Sequence, residues 1–156
     1  MSRAFSFKLD SILDLRTRTE DEWAQDLANA RRKEHALRKE REELEQKRRD
    51  KILQLGGATN DGERVGQIQN LRFVLDHLED RIRTAHAAER EAAAVVVDTR
   101  DAYTTAVRER MSLDRLKDRR KEAWSADQRR TEQNQMDEIA TTRHEAARRE
   151  MREDGR

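Results

Sequence analysis

The pattern nearest to a catalytic motif in this chain is His144-Glu145-Ala146-Ala147-Arg148, which resembles the His-Glu-x-x-His zinc motif of helical proteases. Two histidines four residues apart would hold Zn²⁺ from one helix face, with the glutamate as general base. Arg148 occupies the place of the second histidine, so the ligand pair is incomplete. The other histidines share no metal-ligand spacing and are expected on solvated helix surfaces: His35, His77 and His86. We therefore predict no metal site, no catalytic residue and no enzyme activity.

A second pattern has the glycine spacing of a phosphate-binding loop, between Gly57 and Gly62. Glu63 and Arg64 then follow, where that loop needs Lys and a hydroxyl residue. A carboxylate at this place would repel phosphate, and no Mg²⁺ ligand is supplied. An interhelical turn is the favoured interpretation, and we predict no cofactor.

Basic residues cluster at three places in the chain: Arg31-Arg32-Lys33, Lys47-Arg48-Arg49 and Arg119-Arg120-Lys121. Acidic residues flank each cluster, and 34 basic residues are balanced by 33 acidic ones. Nucleic-acid binding needs an excess of positive charge on one face, often with aromatic residues on which bases stack. We expect solvated helix faces and no nucleic-acid partner.

The elements that carry these residues are predicted from composition. Charged residues make up 43% of the chain and apolar residues only 34%, so a thick globular core is excluded. Strong helix formers dominate and proline is absent, which favours long helices with narrow apolar seams. The longest apolar run, Ala92 to Val97, is too short to span a membrane. The absence of cysteine is compatible with a reducing cytoplasm.

Glycine, Asn and Asp concentrate in one segment, 56–62, which predicts a turn. Leu55 is expected to end helix one, and Asn60 with Glu63 forms a capping pattern for helix two. The predicted fold is all-α: a single domain over 1–156, with helix one at about 8–55 and helix two at about 63–149. The two helices form a long antiparallel coiled-coil hairpin, in which the C-terminal helix overshoots the N-terminus.

Apolar residues at heptad spacing predict the seam of this hairpin. The seam residues are Trp23, Ala30, Leu37 and Leu44 in helix one, and Ile68, Leu71, Leu75, Leu78 and Ile82 in helix two. The helix-two frame continues through Ala85, Ala92, Val96, Thr99, Tyr103, Ala106 and Leu113. In helix one, a companion line carries Leu27 and then Glu34, Arg41 and Arg48. These charged positions lie either in a loosely held seam or beside it, and the pattern leaves both open.

The ends of the chain resemble one known family. The segment Phe7 to Arg16, followed by Glu20, Trp23-Ala24 and Leu27-Ala28, is similar to the start of the flagellar FliJ family. Near the other end, Gln135 to Ala140 followed by Arg143 is similar to the Lys-x-Leu-Asp-Glu-x-Ala ending of that family. The resemblance spans nearly the whole chain around one turn.

The resemblance implies a non-enzymatic component of the flagellar type III export apparatus. Its partners would be the export ATPase ring, the export gate protein and export chaperones, and no part would insert into the membrane. The location implied is the cytoplasm, peripheral to the inner face of the cell membrane at the flagellar base. An injectisome stalk protein and a generic self-associating coiled-coil scaffold are the alternatives.

Two surfaces follow as expectations. ATPase binding is assigned to apolar residues near the two chain ends: Phe5, Phe7, Leu9, Ile12, Leu13, Met136 and Ile139. Alternatively, Phe7 and Leu9 fold onto helix two as a cap. Gate binding is assigned to residues near the turn: Leu37, Arg41, Leu44, Arg48 and Phe73. Family members often carry aromatic residues beside the turn; here helix one has no tyrosine near it, and Phe73 is the aromatic residue opposite.

Overall fold

The computed structural model describes residues 4–60 and 65–153, with side chains described for 4–57 and 65–149. Two helices account for nearly all of these residues: α1 (Asp10–Asn60) and α2 (Val65–Glu153). The helices pack against each other, and the described residues contain no strand. The predicted all-α helical hairpin is confirmed.

The start of α1 is fixed by the residues before it. The amide of Asp10 donates to the carbonyl of Phe7 over 3.1 Å, and the amide of Leu13 donates to the carbonyl of Leu9 over 2.9 Å. Two carbonyls ahead of the helix are thus bonded by the first helical amides, and Asp10 places a carboxylate in the first turn. The helix begins two residues later than the predicted Lys8.

The end of α1 differs from the prediction. The helix continues through Gly56 and Gly57 to Asn60, five residues beyond the expected end at Leu55. Neither glycine adopts a positive φ, and a Cβ built on either would meet no atom within 4 Å. Glycine lowers helix stability without forbidding the helix, so the preceding turns propagate through both positions. The capping residue Glu63 and the rest of segment 61–64 lie outside the described residues.

Contacts group the chain into two units. The central unit comprises residues 17–108, and the terminal unit comprises residues 1–16 with 109–156.

In the central unit, the helices are antiparallel. Arg38 of α1 bonds Glu89 of α2, and Arg48, ten residues later, bonds Glu79, ten residues earlier. The buried residues of this unit lie at or near heptad spacing: Leu27, Leu44, Leu78, Ala85, Ala92, Thr99 and Ala106. The hydroxyl of Thr99 donates to the carbonyl of Val95 over 2.7 Å, which satisfies it within its own helix.

In the terminal unit, residues before and in the first turns of α1 pack on α2. Arg16 pairs with Glu109, Asp10 with Lys117, and Phe5 meets Trp124. These positions advance along one helix as they recede along the other, so the packing is again antiparallel. The buried residues are Phe7 and Leu13. Every side chain from 129 to 149 is exposed.

Candidate functional site

The described residues offer no cluster of His, Asp or Glu that could hold a metal ion. His144 and Glu145, which begin the incomplete zinc pattern, are both exposed on α2. No helix in the described ranges is long and apolar enough to cross a membrane. The residues assigned from the sequence are exposed apolar residues and charged seam positions.

The apolar cluster near the N-terminus is largely packed against the protein itself. Phe7 is 4% exposed and Leu13 is 9% exposed. The Nζ of Lys117 lies 6.0 Å from the centroid of the Phe7 ring, within cation–π range. Phe5 and Leu9 are half-buried. In the folded chain Phe7 and Leu13 pack against α2, which extends past the start of α1. Their assignment to ATPase binding stays a prediction.

Ile12 differs from its neighbours, because its side chain is 43% exposed. It lies one position from buried Leu13, about 100° further round the helix, where the side chain is more accessible. Lys117 of α2 donates a hydrogen bond to Asp10 over 2.7 Å and so links the first turn of α1 to α2. That hydrogen bond, followed by the attraction of Asp10 and Asp14, raises the pKa of Lys117 above its usual value.

Met136 and Ile139 are two exposed apolar residues late in α2. Their side chains are 69% and 49% exposed. A spacing of three residues puts them on one helix face. The structure does not bring them to the N-terminal cluster. Trp124, which meets Phe5, precedes Met136 by twelve residues, a rise of about 18 Å along α2.

The threonines of this exposed part of α2 bond within their own helix. Thr131, Thr141 and Thr142 each donate a hydroxyl hydrogen bond to the carbonyl four residues earlier, over 2.8 to 3.0 Å. Their polar groups are therefore satisfied locally. The apolar side chains of Met136 and Ile139 remain about half exposed or more.

The residues assigned to gate binding separate into two groups. Phe73 is 72% exposed and can be reached by a partner. Leu44 is 3% exposed, and the Arg41 side chain is only 16% exposed. Leu37 and Arg48 are half-buried. The four α1 residues pack in the seam against α2, so of the assigned set only Phe73 presents a free surface.

Arg41 lies in the seam, which decides the open alternative at that position, whereas the Arg48 side chain is 42% exposed beside it. Arg41 Nε donates to Glu89 Oε2 over 2.6 Å, and the side chains of both residues are 16% exposed. Arg38 Nε donates to the second carboxylate oxygen of Glu89 over 3.2 Å. Arg41 also donates to Glu45 over 2.9 Å, so its guanidinium is shared between both helices.

These contacts shift both titrations. The hydrogen bond from Arg41 lowers the pKa of Glu89, with a second contribution from Arg38 and against the opposing effect of burial. The hydrogen bond to Glu89, followed by that to Glu45, raises the pKa of Arg41. Both groups are thus held in their charged forms.

The predicted seam positions have the following accessibility. Leu44 and Leu78 are buried, and Ala30, Leu37, Ile68, Leu71, Leu75 and Ile82 are half-buried. Trp23 is 37% exposed, whereas Leu27, one turn later, is 6% exposed. The seam in this part of α1 thus follows the companion line through Leu27.

Glu89 is the seam residue that the sequence interpretation missed. It lies seven residues from both Ile82 and Val96, and so occupies a position of the same heptad line. An acidic residue in an otherwise apolar line, opposite basic residues of α1, was the available signal.

The comparisons with known proteins agree with this architecture. A family model described as "Flagellar FliJ protein" matches residues 5–149, nearly the whole chain. Neither a curated protein nor a solved structure matches. A match of this extent covers both helices and the exposed end of α2. The chain therefore belongs to the flagellar FliJ protein family.

Proposed function

We propose that this protein is a non-enzymatic component of the flagellar type III export apparatus that engages the export ATPase ring through the face of α2 carrying Met136 and Ile139. Membership of the FliJ family supports the setting in flagellar protein export. The observation that carries the assignment is the exposure of both apolar side chains on one face. Exposed apolar side chains grouped in this way mark protein-docking surfaces.

The assignment is narrower than the one expected from the sequence. Phe7 and Leu13 are buried in the terminal unit, and we therefore leave them out of the proposed docking surface. Ile12 is accessible, but it lies at the end of the unit where α1 packs on α2. Met136 is at least about 18 Å along α2 from that end. The proposed ATPase contact therefore rests on α2 alone.

The export gate contact is assigned to Phe73, which is 72% exposed in the central unit. Its large apolar ring is the kind of residue that anchors a protein interface. Export chaperones are further partners in the proposal, without an assigned surface. Binding of these partners would hold the protein at the inner face of the cell membrane, at the flagellar base.

Capture of the export ATPase by the tagged full-length chain tests the main assignment. Met136→Ala with Ile139→Ala is expected to reduce ATPase affinity about tenfold, because truncating interface anchors costs roughly 1 kcal/mol or more. Phe73→Ala is the control, since it removes an exposed apolar side chain in the other unit, where the Met136/Ile139 variant removes two. Circular dichroism should show unchanged helicity for both variants.

The reciprocal experiment uses the gate protein. Phe73→Ala is expected to weaken capture of the gate while Met136→Ala with Ile139→Ala leaves it unchanged. Equal ATPase capture by the wild-type chain and the Met136/Ile139 variant would refute the ATPase surface proposed here.

A further inference from the structure

The apolar seam of the central unit presents similar residues every seven positions. Four of the buried α2 residues one heptad apart are small, Ala85, Ala92, Thr99 and Ala106, and they follow the larger Leu78. On α1, Leu37 and Leu44 pack against this line, and Leu44 shares one core cluster with Ala85. Sliding α1 by one heptad toward the C-terminus of α2 would give Leu44 another small partner, Ala92. Apolar packing alone therefore discriminates weakly between alignments that differ by seven residues.

The second seam line of α2 contains one charged residue in this region. Ile82, Val96 and Tyr103 are half-buried, and Glu89 lies among them. Its carboxylate accepts hydrogen bonds from Arg41 and Arg38. This layer is thus chemically different from the layers one heptad before and after it.

A slip of one heptad would break the layer in either direction. If Arg41 moved opposite Ile82, Glu89 would come opposite Glu34, which places two carboxylates together. If Arg41 moved opposite Val96, Glu89 would come opposite Arg48, and Arg41 would enter an apolar layer in which α2 supplies no carboxylate and only its own helix does. Both outcomes leave a half-buried charge poorly paired, and the free energy of such a charge is high.

We propose that Arg41 and Glu89 form a register lock, an ion pair that selects one of several heptad-related alignments of α1 against α2 within residues 17–108. The lock is a conformational device of the coiled coil and does not depend on the proposed function. Buried polar residues are known to specify register in coiled coils. Here the need for one arises from the repeated small residues of α2.

The distance between two spin labels measures the register directly, since the chain has no cysteine of its own. Labels at Lys39→Cys and His77→Cys are exposed and lie on different helices. Double electron–electron resonance should give a single distance between the two labels in the otherwise unchanged chain. A slip of seven residues changes the axial offset by about 10 Å.

The decisive variant moves the carboxylate by one heptad without changing composition. In the variant Glu89→Val with Val96→Glu, the carboxylate lies at position 96. It would face Glu34 in the original register and would pair with Arg41 after a slip of one heptad. The distance between the labels at 39 and 77 is expected to lengthen by about 10 Å. An unchanged distance in this variant would overturn the proposal.

A second variant removes the pair altogether. Arg41→Leu with Glu89→Leu should keep the chain helical, because apolar residues can replace a buried ion pair. Two or more label distances are expected in place of one. The single original distance in this variant would equally overturn the lock. Arg48→Leu with Glu79→Leu is the matched control, since this interhelical pair is 42% and 46% exposed. It is expected to keep one distance.

Labels at His77→Cys and Arg100→Cys, both on α2, control for changes within the helix. Their distance should remain constant in every variant, because a slip moves α2 as a whole. A change in this distance would attribute the effect to helix distortion and would count against the lock.

Discussion

The ring of Phe5 lies against the ring of Trp124, with centroids 5.9 Å apart and planes inclined by 55°. This tilted geometry is favourable for aromatic pairs and contributes about 0.5–1.5 kcal/mol beyond burial. The contact joins a residue that precedes α1 to the middle of α2. The residues before the helix are therefore part of the packed terminal unit.

Phe7→Ala is expected to destabilise the terminal unit. Phe7 is 4% exposed, and truncation of a buried phenylalanine costs roughly 3 kcal/mol through lost burial and a residual cavity. Hydrogen exchange of the amides of Asp10 and Leu13 should accelerate, because both bond carbonyls of this segment. Ile12→Ala, at a 43% exposed side chain, should change exchange far less. Equal acceleration in both variants would contradict the packing.

Leu44→Ala should lower the free energy of unfolding by about 2–3 kcal/mol, since Leu44 is 3% exposed in the core cluster of the central unit. Leu53→Ala makes the same chemical change on the same helix. Leu53 is 75% exposed, so its effect should remain within about 0.5 kcal/mol. Urea denaturation followed by circular dichroism compares the two. Similar losses would mean that the seam phase of α1 is wrong.

Gly56→Ala and Gly57→Ala are each expected to raise stability by about 0.4–1 kcal/mol. Both glycines are helical without a positive φ, and a Cβ at either position meets no atom within 4 Å. Alanine removes unfolded-state freedom and favours the helix. Thermal melts and sedimentation would measure the result. A lower melting temperature, or dimers formed by an opened hairpin, would indicate a left-handed turn at these residues.

The free energy of unfolding should depend on pH through the protonation of Glu89. Its folded pKa lies below the ordinary value of 4.5, so its contribution is present above that value and disappears as the pH falls through the folded pKa. The stability difference between the wild-type chain and Glu89→Gln should therefore shrink as the pH falls from 7 to below 4. Glu43→Gln, at an exposed position of α1, is the control. A difference that stays constant with pH would exclude this linkage.

The heptad pattern was sufficient to predict the helical pair and most of α2. Small and aliphatic residues repeat there with Glu89 as the acidic exception, and burial follows the repeat through Leu78, Ala85 and Ala92. The helix-one seam was harder to predict, because Glu34, Arg41 and Arg48 occupy seam positions. The side chains of Arg41 and Arg48 reach carboxylates of α2, whereas Glu34 pairs with Arg38 of its own helix, and a pattern that scores only apolar residues does not register such pairs.

The two other differences have physical causes of the same kind. Glycine at 56 and 57 indicates a turn only where a positive φ is required, and neither residue has one. The burial of Phe7 depends on which α2 residues lie opposite, and this long-range register cannot be read from either end alone. The exposure of Met136 and Ile139 follows from the same register.

The exposed part of α2 also has a calorimetric consequence. Side chains from 129 to 149 remain in solvent in the folded chain, so unfolding this segment hydrates little additional apolar surface. Its share of the unfolding heat capacity should be small compared with its length. A partner that covers Met136 and Ile139 would remove that surface from water for the first time. Its binding should therefore have a negative heat-capacity change, and Ala substitutions at both positions should make that change smaller in magnitude.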